Sequence, residues 1–173
     1  MERARKFAAA LRPDGTWPDI DYKNTQRSSW PVPRHLERLV TMAAAGRTPG
    51  WPLSENAELR EKLFKGLDHW LAADYRNSNW YPNEITVPGH LGSLYLLLEK
   101  DLVPAQIQAG LRIMERSKAT MTGANLVELS RNVILRGCFE SKLQTVSAAF
   151  SRIAGEIKIS TAEGIQADNS FHQ

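Results

Sequence analysis

From residue 33 onward, apolar and polar positions alternate with the period of a helix. Leu36, Leu39, Val40 and Ala43 share one face of a first segment that Gly46 closes, and Thr48-Pro49-Gly50 then reads as a loop. A second segment puts Leu59, Leu63, Leu67, Trp70 and Leu71 in one stripe, with Ser54 as its expected N-cap and Glu55 and Glu58 in an acidic first turn. Asn77-Ser78-Asn79 breaks the pattern, and the following Trp80-Tyr81-Pro82-Asn83 reads as a polar loop carrying two adjacent aromatics. Leu91 to Leu98 is apolar nearly all round, as in a helix packed on several sides. Asp101 is the expected cap of the next helix, with Pro104 in its first turn and Ile107, Leu111 and Met114 on one side. Thr122 caps another that carries Leu126, Leu129 and Val133 and closes at Gly137. Leu143, Val146, Phe150 and Ile153 mark a last long helix, and Glu156 to Ser160 alternates like a short strand. Short connections between successive helices predict antiparallel neighbours. The expected architecture is therefore all-α and built of helical hairpins.

Composition narrows the function without choosing it. The 173 residues suit one domain, and 22 basic against 19 acidic residues leave a net charge of +3, too mild and too scattered for nucleic acid. A groove for an acidic ligand needs only a few well-placed cations, so that class stays open. Cys138 is the one cysteine, which excludes an internal disulfide and a cysteine-based zinc site. No apolar run approaches membrane-spanning length, so no membrane partner is expected. The charged start Met1 to Lys6 is followed by only five apolar residues, Phe7 to Leu11, and no signal peptide is visible.

Four stretches could carry chemistry. Asp14-Gly15-Thr16-Trp17-Pro18-Asp19-Ile20-Asp21-Tyr22 is turn-rich, but its three carboxylates lack the spacing of a calcium loop, and Asp14 reads as a turn residue with the others solvated or capping. Asn79 to Ile85 offers Trp80 and Tyr81, whose faces suit sugar rings; a plug closing one end of a helix pair is the plainer alternative. Thr122-Gly123-Ala124-Asn125 puts Asn125 in a helix first turn, where free amides and the dipole favour a carboxylate. The plainer alternative is that Asn125 helps cap its own helix end. Gly164 to Gln173 gathers acid, amide, hydroxyl and imidazole groups without an identifiable catalytic partner for His172, while His35, His69 and His90 read as structural.

Taken in order, these stretches resemble the α-domain of the polysaccharide lyase family that includes hyaluronate, chondroitin AC and xanthan lyases. Trp30, His35-Leu36-Glu37-Arg38-Leu39 and Pro88 add to the match, which spans almost the whole chain. The resemblance implies an incomplete α/α toroid of helical hairpins, of which residues 1–173 would form about half, with β-sandwich domains following in the family. It implies that Asn125 is catalytic and binds the uronate carboxylate, that Trp80 and Tyr81 form the aromatic platform, and that Asn83 lies at its rim. The family pattern around Asp168 to Gln173 continues into a catalytic histidine at the next position, so His172 takes no role and a fragment is expected. The implied partner is an acidic polysaccharide, cleaved by β-elimination without metal or cofactor. A monomeric full-length enzyme, secreted or periplasmic, is the matching expectation. A non-catalytic carbohydrate-binding helical domain and a helical-repeat protein-binding scaffold are the readings from other classes.

Overall fold

A computed structural model describes residues 1–50, 55–162 and 164–172 of the chain. Its helices are α1 (Glu2–Ala10), α2 (Arg34–Ala45), α3 (Ala57–Ala73), α4 (Val87–Leu98), α5 (Pro104–Met114), α6 (Gly123–Phe139) and α7 (Leu143–Glu156). A small antiparallel hairpin follows, β1 (Gly164–Ile165) with β2 (Phe171–His172), in register Gly164 opposite His172 and Ile165 opposite Phe171. Among the described residues no helix is long and apolar enough to cross a membrane.

The helices pair as antiparallel hairpins α2–α3, α4–α5 and α6–α7, and side-chain contacts fix each direction. His35 at the start of α2 meets Trp70 near the end of α3. The Tyr95 hydroxyl in α4 donates to the Gln106 carbonyl in α5 at 2.5 Å. Gly137 near the end of α6 lies against Val146 near the start of α7. Between hairpins, α2, α4 and α6 pack side by side in one layer. They run parallel: Arg47, just past α2, donates to the Leu97 carbonyl near the end of α4, while Gly89 and Gly92 in α4 oppose Asn132 and Leu135 in α6. The first turns of these three helices therefore share one end of the layer.

The predicted stripes of α2 and α3 form the core, with Leu36, Leu39, Leu63, Leu67 and Trp70 fully buried. Leu91, Leu94, Tyr95 and Leu98 extend it through α4. Several boundaries and faces depart from expectation. Residues 2–10 form a helix, tied down where Trp17 Nε1 donates to the Phe7 carbonyl and Arg38 stacks over both rings. That anchor is tertiary and leaves no local signal. The cap of α3 is Asn56, whose side chain accepts from Leu59 N at 3.0 Å; Ser54 lies outside the described residues. Asp101 caps nothing and instead pairs with Arg47 and Arg60, joining the α2, α3 and α4 ends, while Gln106 Oε1 accepts from Val103 N at the start of α5. Helix α6 runs through Gly137 to Phe139, because that glycine makes room for α7 rather than for a turn. The predicted face of α7 is split: Val146 and Ile153 are half-buried, with Val146 against Gly137, while Leu143 at 79% and Phe150 at 63% are exposed and only Ala149 of the helix is buried. The strand-like stretch contributes a single bridge, Ile159 to Ile165.

Gly110 shows how tightly the hairpins close. A Cβ there would sit 2.0 Å from the Tyr95 hydroxyl oxygen, whereas one at Gly155 in α7 would meet nothing within 4 Å. Gly110→Ala should therefore cost about 1–3 kcal/mol through overpacking. Gly155→Ala should gain roughly 0.5–1 kcal/mol by restricting the unfolded chain. Urea midpoints moving in opposite directions check both; a shared direction would refute the packing account.

Candidate functional site

The aromatic pair begins a helix rather than sitting in a loop. Trp80 and Tyr81 are already helical, and Pro82–Thr86 follow as a π turn in which the Val87 amide reaches back to the Pro82 carbonyl. The cause is Pro88, which has no N–H for the Glu84 carbonyl, so a wider turn accommodates its ring. Side chains from α6 and the segment before it satisfy the carbonyls this exposes. The Ser117 hydroxyl donates to the Glu84 carbonyl, and Asn132 Nδ2 donates to the Ile85 carbonyl at 2.8 Å and to Ser117 Oγ at 3.1 Å. Asn132 is only 2% exposed, and it fits because position 89 is glycine: a Cβ there would lie 2.7 Å from its Oδ1. Buried polar groups of this kind are costly unless paired, so the network locks α6 to the start of α4.

A second network fixes the approach to the helix. Asn83 Oδ1 accepts from Asn77 N, and its Nδ2 donates to the Asn77 and Asn79 carbonyls. Asn77 Nδ2 donates to the Gln26 carbonyl at 2.8 Å and Asn79 Nδ2 to the Arg27 carbonyl at 3.0 Å. The polar break in the sequence is thus a ladder of asparagines that pins the loop before α2 to the loop before α4. Both polar atoms of the Asn83 carboxamide are engaged in that clamp.

The shared end of the three parallel helices carries a groove. One cavity of about 330 Å³ is lined by Arg27, Ser29, Arg34, Tyr81 and His90 among others, and an adjoining one of about 220 Å³ by Tyr81, His90, Glu128 and Arg131. Tyr81 and Trp80 are 41% and 37% exposed, with rings edge to face at 5.6 Å. Burial lowers the His90 pKa, opposed by Glu37 and aided by Arg131, which favours a neutral imidazole in the wall. Arg27, Arg34 and Arg131 carry no signal in the sequence, and His90, which reads there as structural, lines the groove instead. They are scattered, and only the parallel packing of α2, α4 and α6 gathers them.

Asn125 lies in the first turn of α6, at the same end as Trp80 and Tyr81 and one turn before Glu128 in the groove wall. Its carboxamide has no hydrogen-bond partner among the described residues. Thr122 is the N-cap by position, but its side chain makes no capping bond. The carboxylate of Glu156, on the neighbouring helix, instead accepts from Gly123 N at 2.7 Å. Capping from α7 leaves the Asn125 amide available, so the structure does not place it as the cap of its own helix.

The other sequence candidates are structural here. Asp14 accepts from Thr16 N and Oγ1, which lowers its pKa; Asp19 takes both arms of Arg38; and Asp21 accepts from Lys23 N. The three carboxylates serve separate partners. Asp168 likewise accepts from Ser170 N and Oγ within the hairpin turn. His69 bonds Tyr75 through Nε2 at 2.9 Å. His35 is fully buried, its Nε2 bonded to the Gly66 carbonyl at 2.8 Å and its Nδ1 to the Tyr22 hydroxyl at 2.9 Å. A carbonyl only accepts, so Nε2 carries the proton and Nδ1 accepts from Tyr22, whose oxygen in turn accepts from Trp17 N.

Comparison with known proteins sets this geometry in a family. The sequence model of polysaccharide lyase family 8, N terminal alpha-helical domain, matches residues 2–173, and the chain belongs to that family. It is 26% identical over 175 residues to the chondroitinase-AC of Pedobacter heparinus, covering 98% of this chain and 25% of that protein. It is 27% identical over 192 residues to the xanthan lyase of Bacillus sp. strain GL1, covering 98% of this chain and 20% of that protein. The chain thus spans a quarter or less of the curated relatives' length. Among solved structures, a chondroitinase AC lyase described in enzyme–oligosaccharide complexes superposes with a TM-score of 0.89 at 26% identity, over 99% of this chain and 26% of that one. The Streptomyces coelicolor A3 chondroitin AC lyase, in complex with chondroitin sulphate, gives 0.82 at 27% identity over 99% of this chain and 25% of that one. The arc of hairpins is part of an α/α toroid.

The buried His35 makes a pH prediction. Desolvation pushes its pKa down to about 3 from 6.5, so the unfolded chain binds the proton more readily than the folded one. Its stabilising effect is complete above pH 6.5 and is lost progressively as pH falls toward 3, at up to about 1.4 kcal/mol per pH unit. His35→Gln should be less stable at pH 7 yet show a flatter decline between pH 6.5 and 4. Parallel declines in urea unfolding would contradict this.

Proposed function

We propose that this chain forms the carboxylate- and sugar-binding part of a lyase that cleaves uronic-acid-containing polysaccharide by β-elimination. The observation that carries the reading is one shared helix end, where the exposed Trp80 and Tyr81 lie with an Asn125 carboxamide that has no partner among the described residues. In the proposal the aromatic faces position the sugar chain by stacking against apolar C–H groups. Asn125 binds the uronate carboxylate next to C5 through its own carboxamide, since Glu156 already holds the Gly123 amide of the same turn. Loss of the C5 proton pushes negative charge onto that carboxylate, and an amide donor held at a helix start stabilises the growing charge. The proton passes to a base, and the C4–O bond breaks to leave a C4–C5 double bond. Asn83 contributes through the loop it clamps, since its amide is already bonded. The base and the acid for the leaving oxygen are assigned to none of the groove residues.

The substrate class is supported by the relatives, whose names specify chondroitin and xanthan. An acidic polymer also matches the arginines of the groove. A secreted or periplasmic enzyme acting as a monomer, without metal or cofactor, fits a large extracellular polymer. Incubated with chondroitin, hyaluronan or xanthan, the 173-residue chain should bind oligosaccharide yet release no unsaturated uronide absorbance. Trp80→Ala and Asn125→Ala should each weaken binding, by about tenfold for one lost charge-assisted hydrogen bond in the second case. Binding unaffected by either change would refute the site. Product absorbance would refute the division of labour, and binding without an Asn125 contribution would favour a non-catalytic carbohydrate-binding domain.

A further inference from the structure

A cavity of about 670 Å³ lies outside the groove, between α6, α7 and the segment that follows α5. Val133 lines it, while Arg131, two residues earlier and so about 200° away around the helix axis, lines the groove. The two therefore open on opposite sides of α6. Arg136, also in the cavity wall, stands about 16 Å further along α6 than Asn125. The lyase reading uses none of the charged residues of this wall.

The wall sets three cations around a floor of carbon. Lys118 comes from the segment after α5, Arg136 from α6 and Arg152 from α7. Neither Lys118 nor Arg152 has an ion-pair partner among the described residues, and both are exposed. Arg136 Nε is buried and makes no hydrogen bond: Glu140 Oε2 stands 3.6 Å away, and the other oxygen of that carboxylate is taken by Lys142 at 2.7 Å. A buried N–H without an acceptor is rare in a folded protein, and this one belongs to a side chain that borders open volume. Glu115 is the single carboxylate of the lining, so the balance stays positive. Val133, Ala148 and Ala149 supply the apolar surface.

This chemistry differs from that of the groove. No aromatic ring lines the cavity on which a sugar could stack, and the Ser117 hydroxyl in its wall is already bonded to the Glu84 carbonyl and to Asn132. Small-molecule sites of about 300–1,000 Å³ combine an apolar lining with a few placed polar groups, and that is the pattern here. We propose that the cavity binds a small organic carboxylate with an apolar body, at a site separate from the polysaccharide groove. The carboxylate lies among Lys118, Arg136 and Arg152 and accepts from the Arg136 Nε–H, while the hydrocarbon covers Val133, Ala148 and Ala149. Held by residues of three elements, the ligand ties α7 to the segment after α5.

Calorimetric titration of the 173-residue chain with octanoate tests this, beside acetate, octanol and inorganic sulfate. Octanoate should bind at one site, and the other three at least about tenfold more weakly, since acetate and sulfate lack the body and octanol lacks the charge. Lys118→Gln/Arg152→Gln should weaken octanoate binding by about tenfold, and Ala148→Trp should remove it by filling the space. Lys23→Gln/Lys100→Gln, an equal change of charge elsewhere, should change it by less than about twofold. The urea midpoint should rise with octanoate in the unaltered chain and stay fixed in the Ala148→Trp variant. Octanol binding as tightly as octanoate would overturn the proposal by leaving apolar contact alone, and sulfate binding as tightly would reduce the site to an adventitious ion only. Octanoate binding indifferent to either the Lys118/Arg152 pair or Ala148→Trp would overturn it too. Displacement of octanoate by a hyaluronan hexasaccharide would do the same, by making the cavity part of the polysaccharide path. Absence of octanoate binding overturns this site and leaves the lyase reading, tested at Trp80 and Asn125, where it stands.

Discussion

The proline ring at position 88 removes the donor that the Glu84 carbonyl would use in a regular helix, and a buried carbonyl rarely goes unpaired. The turn widens, and Ser117 and Asn132 reach across to fill the gap. Because Asn132 belongs to α6 and sits where Gly89 leaves space, the repair also sets how closely α4 and α6 approach. That single constraint relates the aromatic pair at the start of one helix to the free asparagine at the start of the other. Hydrogen bonds buried in a low-dielectric setting hold such a relation more narrowly than apolar packing would.

The core and the groove divide stability from binding. Around His35 the rings of Trp17, Tyr22, His69 and Trp70 pack within 6 Å of one another or of the imidazole, and a neutral histidine is the form their burial permits. Tyr22 belongs to the same low-dielectric cluster, and burial raises its hydroxyl pKa to about 12. The groove is the reverse: exposed rings, a carboxamide without a partner among the described residues, and surface arginines, of which Arg131 faces Glu128 at 3.9 Å. Polar groups unsatisfied at a surface keep their bonding capacity for a ligand, whereas both nitrogens of His35 and the Asn132 amide nitrogen spend theirs on the fold.

Much of this could be read in the chain before any coordinates. Leu36, Leu39, Leu63, Leu67 and Trp70 announce their faces by spacing, and every one is buried. Asn79 to Ile85 and Thr122 to Asn125 stand out because their residue types do not suit a core. What escaped was set by contacts between distant segments. The α1 helix depends on Trp17 and Arg38, the cap of α6 comes from Glu156 thirty-three residues away, and Asp101 serves one arginine just past α2 and another in α3. Periodicity also misled at α7, since an amphipathic pattern says that one face is apolar but not what covers it. The arginines of the groove lie on separate elements, so nothing along the chain marks them as neighbours.

A π turn amounts to one residue more than a regular helix would use over the same rise. Each residue advances an α-helix by about 100° around its axis. Shortening the stretch from Pro82 to Thr86 by one residue would therefore preserve a helix, and even its hydrophobic face beyond Val87, while swinging Trp80 and Tyr81 about a quarter-turn away from the groove. Length in this segment is thus under tighter restraint than residue identity. Side chains of this turn other than the clamping Asn83 and the buried Ile85 could change and keep the site, whereas a single in-frame codon lost from the gene would carry Tyr81 out of the groove it lines.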